Sequence, residues 1–527
     1  MAHPARRNIY IIGAGFTGVT LAAEIRAKKV FGQVAAFLDD DPGKIGTRID
    51  GVAVLGPIDA VAEILKTAPA QGQGRPEAGA RMDALAPAQG QGRPEAGARM
   101  DALAPADEAI VAIPSASRAQ LSRIFTLLKR AKFAKIRIVP QISQIVDGDV
   151  HLIQARDLDP EDLLAREPVR INLRKSLAYL RGKRVLITGA GGSIGSELCR
   201  QLLEGGVERM YLFGHGENSI YEILRELRLL QEEGVGEKTT IVPILGELQD
   251  RDYVSFIVTR TRAHAVFHAA AHKHVPLLED NPVEAVKNNV FGTLNVVEAA
   301  RQSNVERFVF ISTDKAVEPA CVYGASKLLA EEIVLRAGKG GRNFIVVRFG
   351  NVLGSRGSIL PLFQKQILKG GPVTVTDPAV KRYFMTIPEA TSLVLQAGGV
   401  GCGGEVYLLD MGEELSIKEL AEQMIHFYGY EPDDIRILYT GLRPGEKLTE
   451  KLYAKNEVPE PTAHPKILKL KRQTLINGKI TSVLERLRPI CFHDKEKPSL
   501  FRNRRHLRTI LQEVIPDLGL SDREPEY

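Results

Sequence analysis

Twice in this chain a short apolar run breaks into closely spaced glycines and restarts as a helix-forming segment. Near the start, Asn8-Ile9-Tyr10-Ile11-Ile12 leads into Gly13-Ala14-Gly15-Phe16-Thr17-Gly18 and then Val19 to Lys29. Further on, Arg184-Val185-Leu186-Ile187 leads into Thr188-Gly189-Ala190-Gly191-Gly192-Ser193-Ile194-Gly195 and then Ser196 to Glu204. A short, fully apolar strand is one covered on both faces, and glycine lets the backbone turn where a side chain would not fit. More strand-like runs follow each loop: Val34 to Leu38, Glu108 to Ile113 and Ile136 to Val139 after the first; Arg209 to Phe213, Thr240 to Leu245, Phe308 to Ile311 and Phe344 to Phe349 after the second. Strands alternating with helices predict parallel sheets with crossover helices.

The fold class expected is therefore α/β, with two Rossmann-like doubly wound parallel-sheet domains. Residues 1–160 form the first. It is interrupted by a tandem repeat in which Ala68 to Leu85 and Ala86 to Leu103 are the same 18 residues, APAQGQGRPEAGARMDAL. A segment so rich in Gly, Pro, Ala and Gln cannot bury a core, so 68–106 is expected to be a disordered surface insertion. Residues 161–182 read as a linker and 183–460 as the second domain. Residues 461–527 read as a basic helical tail, with Lys466, Lys469, Lys471, Arg472, Arg502, Arg504, Arg505 and Arg508.

The net charge of +6 over 527 residues mildly favours anionic ligands and does not predict nucleic-acid binding. Cys199, Cys321, Cys402 and Cys491 lie far apart, without the spacing of a disulfide framework or zinc site, so no metal is expected. The N-terminus has no signal-peptide pattern. No apolar run of about 18 residues occurs, so no integral membrane segment is expected, and a cytoplasmic location is.

The second glycine loop has the spacing of a pyrophosphate cradle, in which the anion rests on free N–H groups at the helix start. Thr188, Gly189, Gly192, Ser193, Ile194 and Gly195 are the candidates there. The next strand ends in Gly214-His215-Gly216-Glu217, where an acid would normally hold the ribose of NAD. Gly214 leaves room for a 2′-phosphate but no arginine is supplied, so NAD and NADP are both admitted. His215, Glu217, Glu247 and Leu248 are candidates for the adenosine side, and Ala269 and Ala270 for the ribose wall. His268 reads as a packed or capping histidine, with Lys273 and His274 at the site edge.

Phe308 to Ile311 ends in Ser312-Thr313-Asp314-Lys315, and Tyr323-Gly324-Ala325-Ser326-Lys327 opens the next helix. Tyr323 and Lys327, four residues apart, share a helix face. A lysine beside a tyrosine is expected to lower its pKa, making it a proton acceptor for a hydroxyl that is being oxidised. The first loop, Gly13-x-Gly15-x-x-Gly18 with Asp39 about 20 residues on, has the form of a second dinucleotide site, yet no YxxxK follows it. The preferred reading is a folded regulatory or packing domain.

The segments TGAGGSIGSEL, HAAAHKHVPLLEDNPVEAVKNNVFGT, STDKAVEP, YGASK, RFGNVLGSRGSILPLF and GLRPGEKLTEKL, within 183–455, resemble the CapD-like polysaccharide-biosynthesis branch of extended short-chain dehydrogenases, the UDP-N-acetylglucosamine 4,6-dehydratases. The resemblance implies an extended short-chain dehydrogenase fold with a smaller mixed C-terminal substrate lobe, and a tightly bound, recycled NAD or NADP. It implies a UDP-sugar substrate, conversion to a 4-keto-6-deoxy sugar for surface polysaccharide, and a homo-oligomer. It also implies that Thr313 orients the C4 hydroxyl, Tyr323 takes its proton, and Lys327 holds Tyr323 and the nicotinamide ribose. Asp314 would be the acid at C6 and Lys315 the base at C5, with those two roles exchangeable. A basic Lys315 requires a depressed pKa, expected from burial near Lys327 or the oxidised nicotinamide. Asn351, Arg356, Arg382, Arg443 and Glu446 are expected at the UDP end, where arginine suits a diphosphate.

The first domain resembles the nucleotide-binding-like domain of long family members, which usually begin with membrane-spanning helices not found in this chain. Many long members carry Met where this chain has Tyr323. Long members retain C5 and short, Tyr-type members invert it, so both outcomes stay open. An epimerase would share the fold, cofactor and Tyr/Lys pair but needs no Asp314–Lys315 pair. A non-catalytic nucleotide-binding sensor would need none of the four.

Overall fold

The computed structural model describes residues 8–28, 32–67, 108–113, 115–116, 118–133, 135–139, 156–157, 176–428, 430, 433–472, 476, 479–516 and 518–519. The tandem repeat and residues 161–175 of the expected linker lie outside them. The chain divides into two compact units, Met1–Leu158 and Asp159–Tyr527.

In the first unit, β1 (Asn8–Ile12), α1 (Phe16–Lys28), β2 (Gln33–Leu38), β3 (Glu108–Val111), α2 (Arg118–Arg130), β4 (Lys135–Ile138) and β5 (Arg156–Asp157) build one sheet of order β2-β1-β3-β4-β5. The first four strands are parallel and β5 is antiparallel. Ile9, Ile11, Leu21, Ile25, Phe37 and Ile110 form its core.

The second unit begins with β6 (Arg184–Thr188), α3 (Ser193–Glu204), β7 (Arg209–Gly214), α4 (Glu217–Glu232), β8 (Thr240–Leu245), α5 (Arg251–Thr261) and β9 (Ala265–His268). It continues with α6 (Gly292–Gln302), β10 (Arg307–Thr313), α7 (Val322–Gly338) and β11 (Asn343–Phe349). Its sheet has nine strands, completed by β14 (Val406–Leu409), β16 (Glu457–Pro461) and β17 (Ile467–Arg472), in the order β8-β7-β6-β9-β10-β11-β14-β17-β16. The seven strands from β8 to β14 are parallel; β17 and β16 close the edge antiparallel. Strand order reverses between β6 and β9. Loops leave a crevice at the carboxyl ends of the strands at such a reversal, and ligands bind there.

A smaller lobe has its own core of Leu353, Phe363, Ile367, Val375, Phe384 and Met424. In it β12 (Asn351–Val352), β13 (Lys381–Met385) and β15 (Glu414–Ser416) form a mixed sheet, β12 parallel and β15 antiparallel to β13. The expected helical tail is corrected. Its first part is strand β17, in which Ile467, Leu468 and Leu470 pair with Leu409, Leu408 and Val406. The helices that follow, Ile480–Cys491 and Arg504–Val514, place Leu487, Ile490, Leu507 and Leu511 in the main core. Arg505 lies on the outer face of the second helix, whereas Arg508 is buried and donates to the Glu279 carbonyl at 3.2 Å.

Candidate active site

The loops after β6, β7, β8 and β9 meet at the reversal point. Gly189 adopts φ +70°, and a Cβ there would lie 2.8 Å from the Ala270 backbone. A Cβ on Gly195 would lie 2.0 Å from the Gly189 carbonyl oxygen. Gly192 caps α3 without a side chain, which leaves the N–H groups of Ser193, Ile194 and Gly195 without intrahelical partners. The exposed His215 and Glu217 stand at the end of β7 and the start of α4. His272, after β9, feels the charges of His215 and Glu247, so these loops face one space. Leu248, in contrast, is a core residue whose carbonyl accepts from Asn295 Nδ2 at 2.8 Å. A glycine cradle, free helix-start donors and the small Ala269–Ala270 wall fit an NAD(P)-type dinucleotide.

His268 is fully buried and pairs with Thr188 across the β6–β9 register. Thr293 donates to the Asn289 carbonyl at 2.6 Å, so His268 Nε2–H donates to Thr293 Oγ1 at 2.9 Å and Nδ1 accepts from Thr188 Oγ1 at 2.6 Å. Burial holds the imidazole down at about 3, a neutral packed ring.

Thr313 ends β10, and Asp314 and Lys315 occupy the 3₁₀ turn Asp314–Ala316. Helix α7 starts against this turn: a Cβ on Gly324 would lie 2.1 Å from the Lys315 carbonyl oxygen. Only glycine between Tyr323 and Ala325 lets the two motifs touch. Asp314 is fully buried; its Oδ1 accepts from Thr313 Oγ1 at 2.8 Å and Lys315 Nζ at 3.1 Å, while Oδ2 accepts nothing. Lys315 Nζ also donates to Asn351 Oδ1 at 3.1 Å and lies 3.5 Å from Glu450.

Two expectations about charge are corrected. Burial pulls the Lys315 ammonium down, but the Asp314 and Glu450 carboxylates outweigh it and hold Lys315 above the ordinary lysine value. Burial pushes the Tyr323 phenol up to about 12, and the leading charge opposing that rise is Lys315. Lys327 is itself desolvated and depressed to about 7, which weakens it as a counter-charge. Its Nζ donates to the Ile311 carbonyl at 2.6 Å and stands 3.9 Å from the Phe310 ring centre.

The five residues expected at the UDP end are not one cluster. Asn351 belongs to the Lys315 group. Arg356 reaches the cofactor loop: its guanidinium donates to the Gly191 carbonyl at 3.0 Å and Glu222 at 3.2 Å, and its N–H to Ser193 Oγ at 3.1 Å. Beside it, Lys273 donates to Ser355 at 3.2 Å, and a Cβ on Gly357 would meet the His274 ring at 2.5 Å. Arg382 is buried and donates to the carbonyls of Lys381, Leu448 and Lys447 and to Glu446. Glu446 also accepts from Thr376 and the Arg443 N–H. Arg382 and Glu446 thus hold the 443–448 loop, and Arg443 is its exposed cation.

Two buried polar residues join the site that the sequence does not single out. Asn289 lies in the π-helical turn Val286–Phe291, exchanges hydrogen bonds with the His272 backbone, and donates to Ser326 Oγ at 3.1 Å. Glu450 is buried beside Lys315. Both sit inside the motifs quoted above, but nothing in their local spacing separates them from surface polar residues.

Residues 185–472 match the family described as polysaccharide biosynthesis protein. The chain belongs to this polysaccharide biosynthesis protein family. Among its relatives, the probable polysaccharide biosynthesis protein EpsC of Bacillus subtilis is 42% identical, over 87% of this chain and 70% of that protein. The capsular polysaccharide biosynthesis protein CapD of Staphylococcus aureus is 44% identical, over 75% and 65% respectively. The chain thus spans 70% of one relative's length and 65% of the other's. An inverting UDP-N-acetylglucosamine 4,6-dehydratase of Campylobacter jejuni is 32% identical over 51% of this chain and 77% of that one. A UDP-glucose 4-epimerase of Rickettsia rickettsii is 31% identical over 52% and 79%. The solved structure of Pen from Bacillus thuringiensis superposes with a TM-score of 0.51 at 34% identity, covering 56% of this chain and 91% of that one. The family's short-chain dehydrogenase fold accounts for the nine-stranded sheet. Among the described residues, no helix is long and apolar enough to cross a membrane.

Proposed function

We propose that the chain is an NAD(P)-dependent hydro-lyase that converts a UDP-N-acetylhexosamine, UDP-N-acetylglucosamine first among them, into its 4-keto-6-deoxy derivative. The observation that carries this reading is the pair of the buried Asp314 and the half-buried Lys315 at the end of β10, packed against the turn of α7 that presents Tyr323. Oxidation and return of hydride at C4, as in an epimerase, need a tyrosine and a lysine. Loss of water needs two further groups, one to take a proton from C5 and one to give a proton to the leaving C6 hydroxyl.

Held on the Gly189–Gly195 loop and the Ala269–Ala270 wall, a bound NAD(P)⁺ would supply the hydride acceptor for C4 and, once reduced, the hydride donor for C6. Tyr323 takes the C4 hydroxyl proton, with Thr313 orienting that hydroxyl. The family pattern makes Asp314 the acid and Lys315 the base. The raised proton affinity of Lys315 supports the exchanged assignment. In that assignment its ammonium protonates O6 as the C6–O bond breaks, the Asp314 carboxylate receives the C5 proton, and a proton exchanged with solvent is delivered to C5 afterwards. One water is lost and no net oxidation occurs, so no outside redox partner is consumed. Arg443 is the cation offered to the diphosphate, and Arg382 and Glu446 hold its loop.

Incubating the protein with UDP-N-acetylglucosamine and NAD(P)⁺ in deuterated water tests this reading. The expected product is lighter by one water after correction for deuterium, and NMR of the labelled product reads its C5 configuration. A mass-neutral change at C4 would make the chain an epimerase; an unchanged sugar nucleotide would remove the substrate assignment.

A further inference from the structure

Glu450 enters the site from a part of the chain remote from the strand-end motif. Its carboxylate is 5% exposed, with Oε1 3.5 Å from Lys315 Nζ and Oε2 3.7 Å from Lys447 Nζ. Oε2 accepts no hydrogen bond, and neither does Oδ2 of Asp314 on the other side of Lys315. Burying a carboxylate oxygen without a donor costs stability, and each of the two carboxylates that flank the Lys315 ammonium carries one such oxygen. Lys447 is tied to the Val317 carbonyl at 2.9 Å, so the Glu450 loop is anchored beside the turn that carries Lys315. The groups facing Lys315 are Asp314 from its own turn, Glu450 from the 441–450 loop, Arg382 from β13, Asn351 from β12, and Tyr323 and Cys321 from the start of α7.

From this arrangement we propose that Glu450 is a positioning residue that, with Asp314, fixes the place and the charge of Lys315. Lys315 is thereby kept as an ammonium with its hydrogens directed to Asp314 and Asn351, and its proton is released only at a pH set by both carboxylates. The assignment of Lys315 to the dehydration rests on the function proposed above; the control of its charge by Glu450 does not.

Two measurements separate the two claims. In protein labelled with ¹³Cε-lysine, the Lys315 signal, assigned by its loss in Lys315→Arg, is expected to titrate above the ordinary lysine range. In Glu450→Gln it should titrate lower by about one to three pH units, as expected for removal of an opposite charge at this distance, and Glu450→Asp should restore most of the shift. This readout needs no turnover, so it stands even when the substrate is wrong. In the turnover assay, the limb of the kcat profile governed by Lys315 should move to lower pH in Glu450→Gln and stay in place in Glu450→Asp. A Glu450→Gln protein with lower kcat at every pH and an unmoved limb has lost only packing, and that result overturns the proposal. If Glu450→Gln does not fold, the unsubstituted protein decides: a Lys315 signal at or below the ordinary lysine value overturns it equally.

Discussion

Lys327 is a residue whose environment carries a cost that can be measured. Its folded-state value of about 7 lies below the ordinary 10.5 because burial outweighs the pull of Glu331. Between those two values the unfolded chain holds a proton that the folded chain does not, so stability rises with pH across that window. Replacing Lys327 by Met removes this dependence. The stability of the unsubstituted protein relative to Lys327→Met is therefore expected to increase by roughly 1 kcal/mol per pH unit between about pH 7 and pH 10. Denaturant unfolding of both proteins without added cofactor measures it; parallel curves would show that Lys327 stays protonated throughout. Tyr323 and Lys327 were legible as a helix-face pair because i, i+4 spacing is local. The direction of their proton affinities was not, because it depends first on the depth of burial and then on the Lys315 and Glu331 charges, and burial is set by how separate elements pack.

Among the elements, the two strand–turn–helix units share one steric device. A Cβ on Gly18 would lie 2.0 Å from the Gly13 carbonyl oxygen, just as one on Gly195 would meet that of Gly189. Alanine at either position forces the helix start away from its strand. Gly18→Ala and Gly195→Ala are each expected to destabilise their own unit by about 1–3 kcal/mol or more. Gly15→Ala, whose Cβ meets nothing within 4 Å, should be neutral. Thermal unfolding followed in the full chain orders the three, and an equal loss from Gly15→Ala would contradict the packing account. The loops differ in what closes them. In the first unit Asp39, at the position of a ribose-binding acid, instead accepts the Ala14 N–H at 2.6 Å and lies 3.3 Å from Lys44 Nζ. The motif spacing was readable in both loops, but the fate of the acid was not, since a carboxylate can serve a ribose or its own backbone from the same place.

Across the second unit, a buried ionic network joins the site helix to the far edge of the sheet. Arg348 of β11, 1% exposed, donates to Glu331 of α7 and to Glu457 of β16, at 2.8 Å each for the shortest contacts. Arg472 of β17 adds bonds to Glu331, Glu332 and Glu457, and Ser312 of β10 donates to Glu331 at 2.6 Å. Arg348→Met leaves two buried carboxylates short of a partner, and breaking a buried pair in this way costs about 3–5 kcal/mol. The expected result is a lower denaturant midpoint for the whole second unit. A loss below about 1 kcal/mol would mean that Arg472 alone satisfies both acids.

What the amino-acid sequence determined by itself was everything carried by short-range pattern. This includes the apolar runs that must be covered strands, the glycines where the chain must turn, and the Tyr/Lys and Asp/Lys pairs separated by one turn or one bond. Those patterns were enough for an α/β fold and a candidate site. Only the tertiary structure decided that Arg356 belongs to the cofactor loop and that Arg382 is spent on its neighbours' carbonyls. The same holds for the basic tail, which begins as a sheet strand, and for Lys315 between two carboxylates. The physical reason is common to all four. A charged side chain takes its role from the groups it meets, and here those groups lie far off in the chain, 165 residues from Arg356 to Gly191 and 229 from Arg508 to Glu279.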